Sequence, residues 1–249
     1  MTETIERLSD TAQKSNTARW VQATRFAALT IAIWSIALQL SAGVFLPPVA
    51  IYGVLFGGLA ILLSGERRRL ALATGTLGLL ALAGNLPGTI DELSHPESAP
   101  AFILTLMVSL GAIGTAVSGL AAFRGWSSGP SKAIAISGVG IFVAGILVAT
   151  VLASSVESAD PLASDVTVTA KGVEFDQARL SVPAGISGFW VDNRDGIRHT
   201  FTIEAMGFEI DVPAFSTQRA DFDLEAGQYI VSCAVPGHEN MRIDLTVEG

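Results

Sequence analysis

The stretch YIVSCAVPGHENMRIDLTV, residues 229–247, contains the single cysteine of the chain, Cys233, five residues before His238 and eight before Met241. Tyr229, Val231 and Cys233 alternate with polar or small neighbours, and Met241, Ile243, Leu245 and Val247 alternate with Arg242, Asp244, Thr246 and Glu248. A period of two puts residues i, i+2 and i+4 on one face of a strand, so the stretch predicts two β-strands with Cys233 and Met241 inward. Pro236-Gly237 is a turn dipeptide. The turn carries His238 back towards the thiol, giving one hairpin with sulfur, nitrogen and sulfur donors.

Outward from this hairpin, VTVTA, LSVPAG, GFWVDN, HTFTIEA, FEIDVPAF and RADFDLEAG are short alternating segments separated by Gly, Pro, Asn and Asp. Strands at that spacing predict an all-β Greek-key sandwich over residues 165–249. In HTFTI the same period turns His199, Phe201 and Ile203 inward, with Thr200 and Thr202 on the other face. A trigonal His, His, Cys set with a weak axial Met is the blue-copper arrangement: thiolate and thioether suit Cu(I), and imidazole suits both oxidation states. The predicted metal ligands are His199, Cys233, His238 and Met241. Thr200 lies close enough to support a hydrogen bond to the Cys233 sulfur.

The segment GQYIVSCAVPGHENM resembles the copper-binding end of the cupredoxins, the plastocyanin, azurin and auracyanin group. VDNRDGIRHTFTI resembles their upstream histidine segment, and KGVEFDQARLSVPAG their opening strands. The resemblance covers residues 165–249 and implies one type 1 copper ion at His199, Cys233, His238 and Met241, with electrons leaving through the edge of His238. The loop between His238 and Met241 is shorter than in many members. Cytochrome oxidase subunit II shares the shorter loop, but its dinuclear centre needs a second cysteine, which this chain lacks.

Other readings fit the residues less well. A lone buried cysteine is ordinarily a small apolar side chain, but here it stands in a cluster of donors. Zinc takes Cys and His but favours a fourth ligand other than thioether. One cysteine excludes an intrachain disulfide. Of the three histidines, His95 alone lies outside the set, among acids and prolines, where a solvated side chain is expected; a second, His-rich copper site of an oxidase or nitrite reductase has no ligands. The chain is therefore read as a carrier and not an enzyme.

Before residue 154 the composition changes. Long uncharged blocks run over residues 26–46, 47–64, 70–86, 100–122 and 133–153. A bilayer core takes about 20 apolar residues of helix, so these blocks predict an all-α part of five transmembrane helices over residues 26–153. A polar N-terminal segment, 1–25, precedes them, and a small polar linker, 154–164, follows. Pro47 and Pro48 predict a tight hairpin between the first two blocks, and Gly53 and Gly57 a close helix contact. The polar first 24 residues do not read as a cleaved signal. All nine Lys and Arg before residue 160 fall at the N-terminus, in GERRR, or at Arg124 and Lys132. Basic connections stay cytoplasmic, which places the N-terminus inside and the β-domain on the extracytoplasmic face of the cell membrane.

From residue 160 onward there are 15 Asp and Glu against 6 Lys and Arg, and before it 8 against 9. The acidity belongs to the outer domain, which disfavours nucleic acid and favours a redox protein with a basic surface. The spans contain no His and no charge in their interiors, so neither haem ligands nor an ion path is expected there. The function expected is single-electron transfer. Copper uptake, storage or delivery is the alternative, which Met-rich tracts and exposed His clusters would mark; both are missing. A metal-free recognition sandwich is a third reading, under which Cys233 would be dispensable.

Overall fold

The computed structural model of the chain describes residues 2–41, 45 and 47–249. Six helices come first: α1 (Thr2–Ser41), α2 (Pro47–Leu62), α3 (Arg68–Gly84), α4 (Leu86–Ser94), α5 (Ala99–Arg124) and α6 (Ser131–Ala153). The hairpin expected ahead of Pro47 lies largely outside the described residues. Pro47 and Pro48 themselves open α2, where a missing N–H leaves no helical bond unmade.

Of the described helices, α1 (over Arg7–Leu40), α5 and α6 are long and apolar enough to cross a membrane, and α3 with α4 makes a fourth if the pair is taken as one bent span. The helical part is thus coarser than the expected five spans. The block at 70–86 ends in a 71° bend between α3 and α4. α2 has 16 residues, about 24 Å at 1.5 Å per residue, short of a hydrocarbon core of about 30 Å. The stretch 87–100, which follows the third apolar block, is helical to Ser94, with Pro87 in the first turn of α4.

The chain divides into two compact units: Met1–Gln39, Leu46–Thr89 and Leu104–Gly145 form one; Leu40–Phe45, Ile90–Ile103 and Ile146–Gly249 form the other. In the first, the close crossing joins α3 to α5. A Cβ at Gly75 would lie 2.6 Å from the Thr115 carbonyl oxygen, whereas one at Gly53 meets Ile36 only at an ordinary 3.6 Å. The tight contacts therefore fall on Gly75, Gly78 and Gly119 of this crossing, away from the GVLFG pair. Trp20 Nε1 donates to the Trp126 carbonyl at 3.1 Å, and Thr24 Oγ1 to Ser118 Oγ at 3.0 Å. α6 leaves most of its apolar side chains exposed.

The second unit holds eight strands: β1 (Val166–Ala170), β2 (Arg179–Pro183), β3 (Gly185–Asn193), β4 (His199–Ile203), β5 (Phe208–Val212), β6 (Thr217–Leu224), β7 (Gly227–Ser232) and β8 (Arg242–Glu248). They form sheets of order β1-β3-β6 and β2-β8-β7-β4-β5. Pairs β1–β3 and β2–β8 are parallel and the others are antiparallel.

The inner faces meet in a core of Val168, Phe189, Val191, Phe201, Ile203, Val231, Ile243 and Leu245, with Phe201 fully buried. Phe189 and Phe201 lie 5.0 Å apart between ring centroids, and Phe208 stacks on Phe222 at 4.7 Å. β8 alternates as read, with Ile243, Leu245 and Val247 buried and Arg242, Asp244, Thr246 and Glu248 exposed. β4 departs from strict alternation because Thr200 is buried too. The segment before β1 is tied to the sheets: Ala159 N donates to the Thr217 carbonyl, the Ala159 carbonyl accepts from Trp190 Nε1 at 2.7 Å and Thr217 Oγ1 at 2.7 Å, and Gln218 Nε2 donates to the Glu157 carbonyl.

Candidate metal centre

The β7–β8 hairpin closes as its sequence requires. Cys233 N donates to the Met241 carbonyl, His238 N to the Val235 carbonyl, and Met241 N to the His238 carbonyl at 2.9 Å. Gly237 takes φ 93°, a left-handed value open to glycine at little cost. β4 lies beside β7, with Thr202 paired to Ser232, and that places His199 opposite the start of the loop.

His199, Cys233 and His238 converge. One ligand atom from each lies within 4.8 Å of the others, and all three residues are buried. Cys233 Sγ is 3.5 Å from His238 Nδ1 and 3.9 Å from His199 Nδ1. Bonds of about 2.0–2.3 Å splayed in a trigonal plane separate donors by roughly 3.7 Å, so the three atoms need little movement to share one ion. Met241 is buried in the same cluster, with Cys233, Val235 and Ala170. His95 is elsewhere: half-buried in the Ile90–Ile103 segment, its Nδ1 is 2.7 Å from the Asp91 carbonyl oxygen.

The surroundings fix how each donor points. His199 Nε2 donates to Asp195 Oδ2 at 2.9 Å, leaving Nδ1 to face the sulfur. Asp195 in turn accepts from Gly172 N at 2.9 Å and Val173 N at 3.2 Å. Asn193 braces the loop, accepting from Asp195 N and donating through Nδ2 to the Ile197, Val212 and Pro213 carbonyls. Val173 (φ 60°) and Phe215 (φ 54°) are the non-glycine residues with positive φ among those described. Both give their amide to Asp195, Phe215 to its carbonyl. Such conformations cost about 1–3 kcal/mol each and persist only where neighbours over-determine them.

Thr200 contributes by a different atom than expected. Its backbone N–H donates to Cys233 Sγ at 3.3 Å, while its hydroxyl accepts from Ala234 N at 2.7 Å. That second bond explains why an outward-registered threonine is buried. Burial pushes the Cys233 thiol up, but hydrogen bonds to His199 and His238 and the Thr200 amide outweigh it and bring it down to about 6. Burial lowers His199, but Asp195 and Cys233 overcome this and raise it. Burial likewise raises Asp195, and His199 with the Gly172 and Val173 amides more than reverses it. The pocket thus favours a thiolate, which is the ligating form.

Sequence reading missed Asp195 and Asn193. Their signal was present in NRDG: an Asx pair ahead of a glycine, which makes a tight turn closed by side-chain oxygens.

Residues 142–247 match the family model of the cupredoxin-like domain. A search of the curated proteins returned no match. Among solved structures, amicyanin from Paracoccus versutus is similar at 21% identity, covering 36% of this chain and 86% of that one with a TM-score of 0.29. A reduced amicyanin variant gives 20% identity, 36% and 87% coverage and a TM-score of 0.30. The copper-containing nitrite reductase of Thermus scotoductus gives 20% identity and a TM-score of 0.29, covering 38% of this chain but 24% of the enzyme.

Proposed function

From the premise that the chain carries, within the matched residues 142–247, a cupredoxin-like domain whose fold and donor cluster match a type 1 copper site, we propose that the protein is a membrane-anchored carrier of single electrons. His199 and His238 would hold the copper through Nδ1 as neutral imidazoles, Cys233 would hold it as thiolate, and Met241 would add a weak thioether donor. The observation that carries this reading is the buried convergence of Cys233 Sγ on two imidazole nitrogens at 3.5 and 3.9 Å.

Copper in such a site exchanges one electron between its cuprous and cupric forms. The chain supplies the rest. Asp195 holds the His199 ring and its tautomer, the Thr200 amide donates to the sulfur, and the two-sheet core keeps the donors in place as charge changes. The loop residues Pro236, Gly237, Glu239 and Asn240 around His238 are exposed, which supports His238 as the point of electron exit. An acidic outer domain supports a redox partner with a basic surface.

The apolar helices are consistent with an anchor in the lipid bilayer. In the finer reading, residues 26–153 form five spans after a cytoplasmic segment 1–25, and a linker at 154–164 leads to an extracytoplasmic copper domain at 165–249. The assignment as a carrier and not an enzyme follows from a donor set sufficient for one copper.

The test is the visible and EPR spectrum of the full chain in detergent during titration with Cu(II). An intense thiolate-to-copper absorption with narrow copper hyperfine splitting, lost in Cys233→Ala, is expected. A weak copper signal indifferent to Cys233 overturns the assignment.

A further inference from the structure

The segment Ile90–Ile103, which runs from the second half of α4 through the turn at 95–98 into the start of α5, belongs to the same compact unit as the sandwich, and it carries charge to the loop that ends in His199. Arg198, the residue before His199, is 8% exposed at its side chain; Nη2 lies 2.6 Å from Asp91 Oδ1 and Nη1 lies 2.6 Å from Asp211 Oδ1. One partner is thus on the helical connection and the other on β5. The connection also touches the opposite arm of the loop. Ser98, fully buried, accepts from Ala214 N at 3.1 Å, and the adjacent Phe215 amide holds the Asp195 carbonyl. Asp195 is the partner of His199 Nε2. Two separate routes therefore run from the connection to one imidazole, through Asp91–Arg198 and through Ser98–Ala214–Phe215–Asp195.

The site is built rather than incidental. Buried ion pairs cost desolvation that only good geometry repays. Asp91 Oδ2, Glu92 Oε2 and Arg198 Nε are buried with no hydrogen-bond partner among the described residues. A solubilising surface charge has no need of such an arrangement, and an anchor has no need of acids aimed at the β-domain.

We propose that Asp91 and Ser98 are positioning residues of the copper centre, so that the Ile90–Ile103 connection sets its reduction potential by holding Arg198 and the His199 loop. The proposal rests on the type 1 copper reading above. Its physical content is a sign. The cupric site carries one more positive charge than the cuprous site, so a nearby carboxylate favours the oxidised form and a nearby guanidinium the reduced form; at low effective dielectric both effects are felt over several ångströms.

The experiment is potentiometry on the full-length, copper-loaded protein in detergent, reading the visible absorption. Asp91→Asn is expected to shift the potential upward, Arg198→Gln downward, and the double variant to lie between them, close to wild type. Asp91→Glu restores the wild-type value, and Asp223→Asn, an exposed acid on β6, leaves it unmoved. Ser98→Ala is read in copper-free protein as faster amide hydrogen exchange at Ala214 and Phe215, a measurement independent of the metal. Shifts of the same sign in Asp91→Asn and Arg198→Gln, or no shift in either, overturn the proposal while the Cys233-dependent absorption persists. Loss of that absorption in the wild type overturns the copper reading instead.

Discussion

At the scale of single residues the site is held by atoms that do not themselves bind metal. Asp195 is the clearest case, since it accepts from His199 Nε2 and takes two amides besides. Asp195→Ala should lower copper affinity about 10- to 100-fold, the usual effect of removing a group that orients a histidine ligand; competition with a chelator measures it. Thr200→Ala separates two roles. The amide bond to Cys233 Sγ remains, so the absorption band should hold its position. Ala234 N loses its acceptor at a part-buried position, and because Ala234 itself is exposed the cost in unfolding by denaturant should be that of an ordinary hydrogen bond, about 0.5–1.5 kcal/mol. A displaced band with unchanged stability would contradict that division.

At the scale of elements, Phe201 on β4 shows how the fold reaches the site. It is fully buried and contacts Phe175 and Phe189 by ring edges and faces, two positions from His199. Phe201→Ala should cost about 3–5 kcal/mol, measured on the copper-free protein, with copper binding weakened as β4 loosens. Asp165 gives a pH test remote from the metal. Hydrogen bonds to Arg219 and the Leu162 amide hold its carboxyl below the ordinary 3.8, against the opposing effect of burial. A depressed carboxylate stabilises above its unfolded value, and that contribution is lost as the pH falls through the folded one. The melting temperature should therefore drop below about pH 4, and drop less in Asp165→Asn.

Strand positions were readable because the period of two survives wherever one face is buried, as in β8. The three converging donors were readable because strand register and a Pro-Gly turn are local. The bend after α3 and the helix through 87–94 were not, since hydropathy reports apolar length and says nothing of direction. The turn that holds Asp195 was marked by NRDG, but the long-range bonds of Asp195 and Arg198 were hidden for another reason. Their partners are far away in sequence, at residues 172, 173, 91 and 211, and no periodic pattern marks such pairs. The close α3–α5 crossing at Gly75 was likewise invisible among many glycines; Gly75→Val should disrupt that packing, read as lower helical-part stability in detergent.

At the scale of the whole molecule, charge is segregated along the chain, with the excess of acid beyond residue 160. If that field steers a basic partner, the bimolecular electron-transfer rate should fall steeply as ionic strength rises and the Debye length shortens from about 10 Å at 0.1 M. A rate independent of salt would assign docking to apolar contact instead.

The hydrogen bonds at Glu157 and Ala159 bear on how electrons are delivered. With those two residues fastened to the sheets, the slack after Ala153 shrinks to residues 154–156, at most about 11 Å of extended chain. If the protein carries electrons as proposed, that little slack leaves the copper domain small reach for swinging between partners, so donor and acceptor would each have to come to it in turn. Inserting a flexible Gly-Ser stretch after Ala153 should then change the rate at which donor and acceptor are served, and an unchanged rate would show that the tether does not limit delivery.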